Sequence, residues 1–277
     1  MRAKLQPIDL NAPVIVIDIG NTTVSLATWH DQELKTPLSV PMEDASALEQ
    51  ALHAHLETIS NERIGAVAIA SVVPDTLARV RNQVENLTGR RALVVGEDLP
   101  LPLEVDVTDA RAVGADRVCA AAAVFDKLKK ACIVIGFGTA VTVDLVSDDG
   151  SFLGGAILPG LRLQFRALHE HTAQLPQVSA KVLESLYGRD TTEAIQTGVC
   201  RGLAGAVRGI VEGYATSLNV WPQVVATGGD LPLMSPLCDF IDTQVKHLVL
   251  RGVGLAYSRF LADGGAKLAD HQHARIF

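Results

Sequence analysis

The chain contains no run of basic residues, no closely spaced pair of cysteines and no apolar stretch approaching the ~20 residues of a membrane span. Its 24 Lys and Arg stand against 31 Asp and Glu, for a net charge of −7. An acidic chain without a basic block argues against a nucleic-acid partner. Cys119, Cys132, Cys200 and Cys238 are widely separated, which excludes a CxxC zinc or disulfide framework and leaves small core residues in a reducing compartment. The N-terminal segment carries two basic residues and a short apolar run that Asp18 and Gly20 break. It therefore predicts neither a signal peptide nor a membrane anchor, and the expected location is cytoplasmic. At 277 residues and 48% hydrophobic, the chain is large enough for two domains with substantial cores.

What the chain does contain is an internal repeat. Residues 14–28 read VIVIDIGNTTVSLAT and residues 132–146 read CIVIGFGTAVTVDLV, 118 positions apart. Each copy is a β-branched run, a glycine turn with small polar residues, and a second β-branched run. That pattern is a hairpin whose turn leaves backbone N–H groups free to surround phosphate. Two copies suggest a duplicated fold that clamps a polyphosphate. The copies differ at one telling position, where Asp18 faces Gly136.

Around the repeat, periodicity predicts helices over 44–58, capped by Asp44 or Ser46, and over 75–89, 115–131, 161–173, 190–218 and 247–262. Strands are expected within 64–75, 92–96, 152–161 and 223–230. This describes an α/β chain, divided at 1–128 and 129–277. In the helix over 190–218, Gly198, Gly202, Gly205, Gly209 and Gly213 share one face. Each costs roughly 1 kcal/mol relative to alanine, so a closely approaching backbone is expected. The first expectation is packing on a sheet of the same subunit; the other is a subunit interface. The tail with His271 and His273 reads as frayed rather than metal-binding.

Several residues could carry chemistry. Asp18 ends a buried strand, where a carboxylate is costly unless paired or bound to a cation such as Mg²⁺; an Asp–Gly turn corner is the plainer reading. Gly20, Asn21 and Thr22 could hold phosphate oxygens beside it. Gly114-Ala115-Asp116-Arg117 opens a helix, and the helix dipole keeps an aspartate there ionised. Asp116 could accept a hydroxyl proton and Arg117 could hold a carboxylate, although helix capping alone would also account for them. Gly138 and Thr139 repeat the first turn. Thr227-Gly228-Gly229 ends a strand where a flat ring could approach the backbone. Thr142 and Asp144 read as structural.

Together these segments resemble the type III pantothenate kinases, the Bvg accessory factor family, within the actin-like, sugar-kinase and Hsp70 ATPase superfamily. The resemblance rests on Asp18-Ile19-Gly20-Asn21-Thr22, Ala70-Ser71-Val72-Val73-Pro74, Gly114-Ala115-Asp116-Arg117, Gly138-Thr139-Ala140 and Leu158-Pro159-Gly160. It continues through Leu175-Pro176, Gly188-Arg189-Asp190-Thr191, Gly198 and Thr227-Gly228-Gly229. It implies two duplicated ribonuclease-H-like, actin-like ATPase domains with the active site in the cleft between them. The implied reaction is ATP-dependent phosphorylation of pantothenate, the entry step to coenzyme A. By the same resemblance Asp116 is the general base, Asp18 the metal-directed carboxylate, and Gly114, Arg117 and Thr191 contact pantothenate. Thr191 is then often supplied across a homodimer. Mg²⁺ and a monovalent cation, K⁺ or NH₄⁺, are the implied cofactors.

Three positions depart from the family pattern. Gly136 replaces an aspartate tied to cation binding, and Val107 replaces a tyrosine near pantothenate. Asp190 stands where asparagine is commoner and should cap its helix, with Glu193 completing a capping box. The departures at Gly136 and Val107 keep open a binding or regulatory relative, and because fold alone does not fix function, a kinase of the same fold for another small hydroxyl substrate stays open as well.

Overall fold

The computed structural model describes residues 12–58 and 64–264. The N-terminal segment and the His271/His273 tail lie outside the described residues. The first sheet is built from β1 (Val14–Ile19), β2 (Thr23–His30), β3 (Glu33–Pro41), β4 (Ala66–Ser71) and β5 (Ala92–Val94), in the order β3-β2-β1-β4-β5. Its helices are α1 (Ala45–Thr58), α2 (Pro74–Thr88) and α3 (Ala115–Leu128). The second sheet comprises β6 (Cys132–Phe137), β7 (Ala140–Val146), β8 (Phe152–Pro159), β9 (Gln223–Thr227) and β10 (Thr243–Gln244). It is accompanied by α4 (Leu161–Glu170), α5 (Thr191–Leu218) and the short α6 (Leu231–Met234), and α7 (Leu248–Ala262) closes the chain.

The second sheet runs β10-β9-β6-β7-β8, which is the order of the first sheet read from its other edge. In both, the first three strands form an antiparallel meander and the fourth pairs parallel with the first. Even the boundaries of β1 and β6 obey the 118-residue offset, and the repeat is therefore structural as well as sequential. Each sheet has the topology of the ribonuclease-H-like domains of actin-like ATPases.

The chain separates into two compact units. One takes in the described residues up to Glu104, Thr108–Ala123 and the described residues from His247 onward; the other holds Val105–Val107 and Val124–Lys246. This differs from a single cut after residue 128. The reason is α7: Leu250, Val253, Ala256 and Tyr257 bury themselves with Val14, Val16, Ala27 and Trp29 of the first sheet. Gly252 permits this, since a Cβ there would collide with the Cys119 carbonyl of α3. The opposite face of β1 (Ile15, Ile17 and Ile19) packs on Leu48 and Leu52 of α1 and Val80 and Val84 of α2. Burial on both faces accounts for the unbroken apolar run of β1.

Helix ends follow side-chain chemistry. Asp44, not Ser46, caps α1 by accepting the Ala47 N–H at 2.8 Å. The α3 helix stops at Leu128, and Lys129 adopts a left-handed backbone while its ammonium meets Asp126 at 3.0 Å. At α5, Asp190 accepts the Glu193 N–H at 2.8 Å as expected. The Glu193 carboxylate reaches the N–H of Arg189, also at 2.8 Å, one residue earlier than a capping box requires.

The glycine face of α5 overturns the first expectation. Ile195, Val199, Leu203, Val207 and Val211 pack into the core of the second unit. Cβ atoms at Gly198, Gly202, Gly205, Gly209 and Gly213 would meet nothing within 4 Å. No element of the same chain covers that face among the described residues.

Candidate active site

In the first unit, three chain turns converge. β1 ends at Ile19, and the Gly20 N–H donates to the Thr23 carbonyl at 3.0 Å, which closes the hairpin turn and leaves Asn21 and Thr22 exposed at its tip. The parallel neighbour β4 ends alongside, where the Val72 N–H donates to the Ile19 carbonyl at 3.3 Å. The Ser71 hydroxyl holds this second turn by accepting the Val73 N–H at 3.1 Å. The third is the start of α3. A Cβ built at Gly114 would lie 3.4 Å from Val72 Cγ1 and still closer to Asp116 Oδ1, so glycine admits both the neighbouring turn and the folded-back carboxylate.

This convergence brings Asp18 and Asp116 together. Burial pushes the Asp18 carboxyl up to about 7, and the charge of Asp116 adds to the effect. Burial also raises Asp116, opposed by the Arg117 N–H, which donates to its Oδ1 at 2.8 Å, and by the Arg117 guanidinium. Cys119, one turn further along α3, is fully buried. Burial and both aspartates drive its thiol well above the ordinary cysteine range, so it is no nucleophile.

Two partly buried carboxylates that repel each other can take up a proton or a hard cation. Their oxygen donors fit Mg²⁺, which characteristically binds one or two carboxylates while keeping water and substrate phosphates. No cluster of three or more His, Cys, Asp or Glu that could cage a metal occurs among the described residues. A metal shared with a phosphate ligand therefore suits this site better than a closed structural ion.

In the second unit the equivalent turn is gathered differently. The Gly138 N–H donates to the Ala140 carbonyl at 3.2 Å, and the Gly160 N–H, preceding α4, donates to the Thr139 carbonyl at 3.0 Å. Thr227 pairs in register with Gly136. Gly228 has φ +114 and presses its backbone on Phe137, and the Asp230 N–H then donates to the Phe137 carbonyl at 3.1 Å. The structure thus joins Gly138 and Thr139 to Gly228 and Gly229 within one unit. Thr191 stands exposed at the start of α5, and the contacts around it are those of the helix cap.

At the defective position, a Cβ on Gly136 would come within 2.9 Å of Thr142 Oγ1 on β7. Val107 belongs to a strap, residues 105–107, that runs beside β8. Val105 bridges to Phe152, the Asp106 N–H donates to the Phe152 carbonyl at 3.0 Å, and Val107 faces Gly154. Periodicity marks no element between the strand at 92–96 and the helix at 115–131, and this strap was therefore missed. Sequence reasoning also passed over Asp230 and Arg162, which flank the second turn. The only signal for Asp230 was an acidic residue directly after the glycine pair.

Known proteins agree with this architecture. The sequence profile of the type III pantothenate kinases matches residues 14–213. The chain is 32% identical over 252 residues to the type III pantothenate kinase of Syntrophus aciditrophicus, covering 89% of this chain and 99% of that one. It is also 32% identical over 251 residues to that of Moorella thermoacetica, with the same coverage. Among solved structures, a Campylobacter jejuni protein described as a Baf family transcriptional activator superposes with a TM-score of 0.56 at 19% identity. That match covers 90% of this chain and 99% of the other, a likeness of fold. Profile, full-length relatives and duplicated sheets give one conclusion: the chain belongs to the type III pantothenate kinase family.

Proposed function

We propose that this protein transfers the γ-phosphoryl group of ATP to the primary hydroxyl of pantothenate, giving 4'-phosphopantothenate and ADP at the first step of coenzyme A biosynthesis. The observation that carries the reading is the meeting of Asp18 and Asp116. Asp116 accepts the hydroxyl proton as the new P–O bond forms and the bond to the β,γ-bridging oxygen breaks. Its carboxyl is raised by burial, toward the range where a base works at neutral pH. Asp18 would hold Mg²⁺, which when bound would neutralise charge on the phosphates. Phosphoryl transfer asks little else of a protein beyond positioning.

In this scheme Gly20, Asn21 and Thr22 of the first unit and Gly138 and Thr139 of the second each contact phosphate, and Thr227, Gly228 and Gly229 receive the adenine end. Gly114, Arg117 and Thr191 contact pantothenate, with Arg117 offering a paired fork to its carboxylate. Gly136 supplies no carboxylate, so dependence on K⁺ or NH₄⁺ is weak. The uncovered glycine face of α5 supports a homodimer. Four buried free cysteines support a reducing, cytoplasmic setting, and no described helix is long and apolar enough to cross a membrane.

Incubation with ATP, Mg²⁺ and pantothenate, followed by mass spectrometry, should yield 4'-phosphopantothenate in amounts matching the ADP released. A second reading, a relative that binds without turnover or phosphorylates another small hydroxyl compound, draws on Gly136 and Val107. Calorimetric binding of pantothenate with no product, or a better acceptor in a competition panel, would favour it.

A further inference from the structure

The second unit has no carboxylate at the position equivalent to Asp18, where a Cβ would come within 2.9 Å of Thr142 Oγ1. One strand away, β9 runs parallel to β6 with Thr227 opposite Gly136. The glycine backbone at 228 then folds onto Phe137, and Asp230 is tied by its N–H to the Phe137 carbonyl. Asp230 therefore sits against the turn that leads into Gly138 and Thr139. Its carboxylate makes no capping bond. The charge that acts on it comes from Arg162 at the start of α4, beside a segment that is itself bonded to Thr139.

A carboxylate at the edge of a phosphate-binding turn meets a physical difficulty. Unshielded, it repels the phosphate oxygens, and within partly buried surroundings the repulsion is stronger than in water. A cation between the two turns repulsion into a shared coordination shell, and Mg²⁺ with its retained waters suits such an arrangement. We propose that Asp230, just past the strand adjacent to Gly136, supplies the carboxylate this turn lacks and joins in holding the nucleotide's divalent cation, through its water shell. A plain surface partnership of Asp230 with Arg162 would instead leave metal affinity unaffected. The proposal rests on the kinase reading above.

The test compares wild type with Asp230→Asn, full-length, using Mn²⁺ as a paramagnetic probe. With the protein saturated by ADP, Mn²⁺ titration followed by electron paramagnetic resonance should show at least about tenfold weaker metal binding in the variant, the size expected for a metal-shell interaction. Calorimetry of ADP binding in EDTA should give the same affinity for both proteins. Equal Mn²⁺ affinity, or an equal loss of ADP affinity with and without metal, overturns the assignment of Asp230. A wild-type protein that binds no Mn²⁺ with ADP overturns the kinase reading as well. Circular dichroism and thermal melts check that the variant folds; it should melt no lower than wild type, because burial disfavours the ionised carboxylate it removes.

Discussion

Asp18 at the end of β1 lies near enough to Asp116 in the first turn of α3 for the second carboxylate to raise the first, on top of what burial does, to about 7. A group whose folded-state value lies above its unfolded value stabilises the fold while protonated. That contribution is complete below about pH 3.8 and is lost as pH rises toward 7. Without ligands, the site therefore costs stability at neutral pH, as charge-binding sites commonly do.

The Asp18→Asn variant, which mimics the protonated form, should be more stable than wild type at pH 8 by on the order of 2–4 kcal/mol. The gap should close as pH falls toward 4. Urea midpoints measured across this range provide the check. A variant less stable than wild type at pH 8 would mean that Asp18 already has a favourable partner in the empty protein.

Thr28 and His55 give a second pH effect of opposite sign. Thr28 Oγ1 and His55 Nε2 are 2.8 Å apart and buried, and burial holds the imidazole below its usual value of 6.5. Stability from the neutral ring is present above pH 6.5 and drains as pH falls through the lowered value. Amide exchange in α1, corrected for intrinsic rates, should therefore speed up at pH 5 relative to pH 7.5. Unchanged protection would place the imidazole in contact with solvent.

The open face of α5 yields a prediction with two distinct outcomes. In an isolated helix surface, alanine at Gly202, Gly205 and Gly209 would add roughly 1 kcal/mol each. If a second copy packs there, the added methyl groups obstruct it. The triple variant should sediment as a monomer where wild type sediments as a dimer. A dimer of unchanged affinity with a raised melting temperature would remove this face from the interface.

At Gly228, φ is +114 and a Cβ would strike the Phe137 carbonyl. Strain of this kind costs about 1–3 kcal/mol. Gly228→Ala should thus lower the melting temperature and weaken nucleotide binding at least tenfold, whereas Gly229→Ala, which meets nothing within 4 Å, should leave the melting temperature near wild type. Similar melting temperatures for the two would contradict the described packing of β9 on β6.

Much of the fold was legible because its signals are local. The offset between VIVIDIGN and CIVIGFGT, the β-branched runs and the caps at Asp44 and Asp190 all act within a few residues. What could not be read depended on distant partners. Nothing near α7 indicates that it returns to the first sheet, because the seat for Val253 and Tyr257 is made by β1 and β2. The α5 glycines signalled a close approach, but periodicity is identical whether the neighbour is a sheet or another chain. The joining of Asp18 to Asp116 likewise needed the parallel pairing of β1 with β4 and the packing of Gly114 on Val72.

The most direct measurement is a single-turnover assay with ATP, Mg²⁺ and pantothenate, comparing wild type with Asp116→Asn. Wild type should release ADP at least tenfold faster with pantothenate than without. The variant should lose on the order of 10²–10⁴-fold in that rate while binding ATP within a few-fold of wild type. Equal rates for the two proteins, or no response of wild type to pantothenate, would contradict the account.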